Sequence, residues 1–192
     1  MSRLVLKLIL ACTLGWQVAC TSLPTEHKPR EILDERSGAT ITMVDKPLVF
    51  WRDRTELAAN LRDYVTMVAA SLNNAGKVKY VWVSYVWSTL DPKLAGYDTA
   101  DHMVITADDR RISLTSVASN ALEAGISVPV RAPAGVGSIS RVYVADLATL
   151  RFIGAAGNVR LQVGEDETAP YYELWEDQRG SLSEFVRYAE GR

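Results

Sequence analysis

The stretch Lys77 to Thr89, KVKYVWVSYVWST, is apolar on both of the faces that a strand would present. Tyr80, Trp82, Ser84 and Val86 fall on one side, and Val81, Val83, Tyr85 and Trp87 on the other. A strand with one wet face alternates apolar with polar residues, so this pattern predicts a central strand covered on each side. Upstream, Val65 to Leu72 reads as a strand and Asn73-Asn74-Ala75-Gly76 as a turn, which makes residues 65 to 89 a long hairpin. Ala39 to Val44 and Leu48 to Trp51 are shorter strands separated by Asp45-Lys46-Pro47. Leu57, Leu61 and Tyr64 recur at i, i+4 and i+7, which predicts a helix over 55–64 with Asp53 or Thr55 as its cap.

Further along, His102 to Ala107 and Arg111 to Ser116 flank Asp108-Asp109-Arg110 as a second hairpin. Ser119 to Gly125 has room for a helical turn or two, and residues 128–138 form a Pro/Gly-rich loop. Strands follow at 141–145, 159–163 and 171–175, with a short helix capped by Asp146 and closed by Gly157. At the C-terminus, Ser181-Leu182-Ser183-Glu184 has the form of a capping box. Leu182, Phe185, Val186 and Ala189 then make one apolar stripe, which predicts a helix docked on a sheet. Together these elements predict a mainly β (α+β) single domain over 38–192. Its expected form is an antiparallel β-sandwich with two to four short helices, including the C-terminal amphipathic one. The alternative is a compact α+β domain with one sheet and its helices on one face.

The N-terminus changes the picture. Arg3 and Lys7 precede an apolar run from Leu8 to Trp16, broken only by Thr13, and Gln17 and the polar segment after it end the run. That is the plan of a secretory signal. A bilayer span needs about 20 mostly apolar residues, so this run is too short to be one. Gln17-Val18-Ala19-Cys20 resembles the lipobox of bacterial lipoproteins. In that family the cysteine sulfur takes a diacylglyceryl group, the signal is cut before it, and the new N-terminus is acylated, as with palmitate. The resemblance implies residues 1–19 as signal peptide and Cys20 as the lipidation site. Gln17 departs from the usual Leu, Val or Ile. Ile9-Leu10-Ala11-Cys12 has the better composition, but the apolar stretch before it is too short for an h-region. Simple secretion would want small residues on both sides of the cut, a pattern that Gln17 breaks. In lipoproteins of Gram-negative bacteria an aspartate after the cysteine favours the inner membrane. Thr21 stands there instead, which implies the outer membrane. Residues 20–37, with Pro24 and Pro29, read as a polar tether reaching about 50–60 Å at roughly 3.3 Å per residue.

Loss of the signal removes Arg3 and Lys7 and takes the formal charge from −2 to −4. A nucleic-acid partner would want clustered Lys and Arg, and none is expected. With Cys12 cut away and Cys20 alkylated, the mature fold holds no thiol, so packing alone must stabilise it.

Motifs for chemistry are sparse. G-x-S-x-G, S-x-x-K and P-loop patterns do not occur, and Gly135-Val136-Gly137 falls in the Pro-rich loop. Asp98, Asp101 and His102 match no ligand spacing of a metal site. Asp108-Asp109 and Glu165-Asp166-Glu167 fall where turn preference accounts for them. No catalytic residue, metal or cofactor is therefore assigned. Cys20, "PLVFWRDRTELAANLRDYV", "VWSTLD" and "DLATLRFIGAAGNVRLQV" resemble a group of small proteobacterial lipoproteins. That resemblance implies an envelope location, lipid-anchored on the periplasmic face of the outer membrane, with secretion to the periplasm as the alternative. The expected function is a non-catalytic structural or partner-binding role with a protein partner in the envelope. A small-ligand or glycan binding module using the 128–138 loop and nearby aromatics is the alternative, and an enzyme built on carboxylates comes third.

Overall fold

The computed structural model describes residues 27–56, 61–89, 100–133, 137–164 and 166–191. Ten strands and two helices are present among the described residues. The strands are β1 (Arg30–Asp34), β2 (Ala39–Met43), β3 (Leu48–Asp53), β4 (Arg62–Asn74), β5 (Lys77–Ser88), β6 (His102–Ala107), β7 (Arg110–Ala118), β8 (Ser138–Ala145), β9 (Val159–Val163) and β10 (Tyr172–Glu176). The helices are α1 (Leu147–Ala155) and α2 (Arg179–Glu190).

Eight strands close into an antiparallel barrel in the order β4-β3-β10-β9-β6-β7-β8-β5, with β5 returning to β4. This corrects the expected sandwich. The sandwich reading took two covered faces on β5 to mean two stacked sheets. Instead the wall curves until β3 meets β10, with Phe50 opposite Leu174, and no edge is left in the ring. The alternation runs consistently around the circle. Val65 faces Val86, Trp82 faces Tyr143, Met103 faces Leu114, and Leu161 faces Tyr172, all on the inner side. All of these are buried, Leu114 and Tyr172 keeping only a few per cent of their surface. An eight-stranded barrel is just wide enough for side chains to fill it, and these do.

The outer face of β4 and β5 is covered too. Val68, Ala70, Val81, Val83 and Val142 lie outside the ring and are buried. Ile41 and Met43 of β2 extend that layer, and Ile126 closes it. A Cβ at Gly125 would stand 3.8 Å from the Leu72 side chain, which fixes the 119–133 segment against the outer wall. The two-sided apolar pattern of β5 is therefore real, but its two covers are a barrel interior and a folded-over segment.

Other expectations were displaced. Residues 62–64, predicted as helix, belong to β4, a strand of thirteen residues. Residues 57–60 lie outside the described residues. The 3.6-residue spacing of Leu57, Leu61 and Tyr64 lost to pairing on both edges of β4, with Arg62 to Met67 against β3 and Asp63 to Asn74 against β5. Arg30–Asp34, read as tether, forms β1 on β2. Asp34 holds that strand in place: it is buried, and Ser127 donates to it from its backbone N–H (2.7 Å) and its hydroxyl (2.5 Å). The Ser127 bonds hold the Asp34 carboxyl down to about 2. A depressed carboxylate stabilises the fold fully above its unfolded value, about 3.9, and that contribution is lost as pH falls towards 2. Asp34→Asn should therefore flatten stability between about pH 4 and 2 in urea melts; an unchanged acid limb would show that the contact does not form.

At the C-terminus, the stripe of α2 is buried as predicted at Leu182, Phe185 and Val186, and Phe185 meets Tyr80 edge to face. The capping box is not formed. The helix starts at Arg179, and the Ser181 hydroxyl accepts from the Lys46 N–H at 3.0 Å. Asp146 does cap α1, accepting from the Thr149 N–H at 2.7 Å.

Candidate functional site

β2 and β3 lie end to end along one edge of β4. Between them four residues, Val44 to Pro47, stand against only Val68 and Ala69. Pro47 lacks the N–H that a continuous ladder would use, so the strand breaks there and its rim stands off the wall. The Pro-rich loop arrives from the other side, where Arg131 donates from Nη1 to the Asp45 carbonyl at 3.2 Å. Between rim and loop runs a groove of about 530 Å³ on the outside of the barrel.

Aromatic residues floor it. Trp51 is paired with Tyr64 and Tyr64 with Trp87, so three neighbouring strands place rings in one row. Tyr64 and Trp87 stack at 4.2 Å and 12°, and the Trp87 indole N–H donates to the Thr66 hydroxyl at 3.2 Å. Trp175 of β10 adds a fourth ring, edge to face with Trp51 at 5.1 Å, and is half exposed; Tyr64, Trp87 and Trp175 line the groove, and Trp51 supports Trp175 from outside the lining. Arg62 lies over Trp51 and Trp175 at 4.6 and 5.5 Å and pairs with Asp53 at 3.3 Å. Val49, Pro47 and Pro133 supply aliphatic walls, and Lys46, Arg131, Glu176 and Gln178 supply a polar rim. Partly exposed aromatics gathered in a concavity with a few polar groups are the usual make-up of a recognition site.

A second cluster sits inside the barrel. Asp63 is fully buried, with Arg54 Nη1 at 2.6 Å and Arg52 Nη2 at 3.1 Å from its Oδ2. Arg52 also stacks on Tyr172 at 4.8 Å. Burial opposes charge on Asp63, but the Ser88 hydroxyl and both guanidinium groups outweigh it and hold the carboxyl below its usual range. Arg52 lies on β3 and Asp63 on β4, so this ion pair ties the two strands together.

The residues singled out in the sequence do not converge on one site. Cys20 and Asp98 lie outside the described residues. Asp101 pairs with Arg141 and accepts from Ser116, while His102 approaches Thr115 at 3.5 Å. Neither belongs to a metal-ligand cluster among the described residues. Asp108, at φ 49°, accepts from the Asn158 N–H, and Asp166 accepts from Thr168. Of the Pro/Gly loop, Arg131 to Pro133 line the groove, and 134–136 lie outside the described residues.

No known protein family, curated protein or solved structure matches this chain.

The site thus stands on its own geometry. Trp51, Tyr64 and Trp175 were not legible as site residues, because their shared row exists only once the register of four strands is known. The available signal was at least one outward aromatic on each of the four strands.

Proposed function

We propose that this protein is a lipid-anchored, non-catalytic protein of the bacterial cell envelope that binds a protein partner through the aromatic groove. The groove carries the reading: three rings from three strands, Tyr64, Trp87 and Trp175, open on one side, on a scaffold whose interior is already filled. The anchor side rests on the lipobox-like Val18-Ala19-Cys20 and on Thr21, which favours the outer membrane. His27, the first described residue, lies 3.8 Å from the Asp45 carboxylate, and Asp45 also holds the Arg131 rim of the groove. Six residues separate Cys20 from His27. Fully extended, that span is about 25 Å, half the reach expected of a tether ending at residue 37. A domain anchored at Cys20 would therefore present its groove close to the membrane.

Cys20→Ala should abolish labelling by a clickable fatty acid; labelling that persists, or that moves to Cys12, rejects the anchor. A glycan is the second reading, favoured by the mixing of Thr66, Glu176 and Gln178 with the rings.

A further inference from the structure

We infer that the segment held in the groove is an extended, proline-bearing peptide with an acidic residue over Lys46 and Arg131. This rests on the partner-binding reading above. The spacing of the rings is the first support. Among the rings that line the groove, Tyr64 on β4, stacked with Trp87, and Trp175 on β10 are two strands apart. Two strand spacings are about 9.6 Å. One turn of a polyproline II helix, three residues at 3.1 Å, is about 9.3 Å. A chain crossing the strands would thus meet a ring once per turn, the arrangement that lets such peptides seat alternate prolines among aromatics.

The second support is how the rings are turned. Tyr64 and Trp87 cover one another, and Arg62 covers Trp51 and Trp175. Each of these rings therefore has one face taken by a neighbour. Pro47, Val49 and Pro133 wall the groove with aliphatic surface suited to pyrrolidine rings.

Charge sets the polarity of the occupant. Lys46 and Arg131 meet at the break between β2 and β3, and among the described residues Lys46 has no carboxylate partner. Arg131 gives one N–H to the Asp45 carbonyl, and its fork has other donors to offer. The Asp45 carboxylate is turned to His27. Two cations against the single carboxylate of Glu176 leave the rim net positive, which favours a peptide with an acidic flank.

The test uses the full-length protein in detergent and tryptophan fluorescence titrations. The probes are a proline decamer carrying two N-terminal glutamates, the same decamer with two lysines, a Gly/Ser decamer with two glutamates, and a chitooligosaccharide. The acidic oligoproline should saturate the signal and bind at least about tenfold tighter than the Gly/Ser peptide. Trp175→Ala, at a half-exposed ring, should weaken it at least about tenfold with melting unchanged. Lys46→Glu should reverse the preference between acidic and basic decamers. The inference is overturned if no oligoproline saturates, if Trp175→Ala binds as wild type, or if only the sugar binds. A photo-crosslinking amino acid at position 175 in cells tells that failure from failure of the broader reading. Protein adducts without oligoproline binding reject the peptide class alone; sugar binding without protein adducts rejects both.

Discussion

Trp82→Ala should lower the unfolding free energy by about 3–5 kcal/mol in urea melts, the range for an aromatic removed from a filled core. Trp82 keeps 1% of its surface and lies inside the barrel opposite Ala69 on β4 and Tyr143 on β8. The Tyr143 hydroxyl is committed to the Ala100 carbonyl, and burial pushes its phenol up to about 12, so this neighbour cannot swing in to fill the void. The Trp82 indole N–H has no partner among the described residues. Trp82→Phe therefore gives up no hydrogen bond and should cost much less than alanine. A loss below about 1 kcal/mol for Trp82→Ala would mean that the barrel interior collapses freely or is not packed as described.

Asp63→Ala should be as damaging, by about 3–5 kcal/mol, for an electrostatic reason. It strands the Arg52 guanidinium and leaves Arg54 with Glu56 alone, at the same end of the barrel. Breaking such a pair costs more than replacing it whole, so pairing Asp63→Leu with Arg52→Met should recover part of the loss. Equal losses in the single and double variants would show that Arg54, not Arg52, is the partner that matters.

How much of this was legible depended on the range of the interaction involved. Local signals transferred well: the Asp146 cap, the 73–76 turn, where Ala75 and Gly76 take positive φ, and the Leu182-Phe185-Val186 stripe. The two-sided burial of Val81, Trp82 and Val83 was also readable from alternation alone. Ring closure was not, because Phe50 and Leu174 are far apart in sequence and nothing local marks them as partners. Ser181 was misread for the same reason, since its hydroxyl is taken by a backbone N–H 135 residues away. β1 escaped notice because REILD offers only Ile32 and Leu33, and Leu33 stays exposed. The groove was only partly visible: its loop was singled out, whereas Trp87 was read as framework and the row of rings needs the register.

The pairing of β3 with β10 also governs when the molecule can exist at all. Chains are made N-terminus first, at about 5–20 residues per second. Leu48–Asp53 must wait for Tyr172–Glu176, nearly the end of the sequence, before its second edge is satisfied. Until then the nascent wall is an open sheet with two sticky edges and an apolar surface on each side. A nonsense codon just after Ser183 would spare every strand of the barrel and remove only part of α2. One just before Tyr172 would leave a chain that cannot shut and is marked for proteolysis.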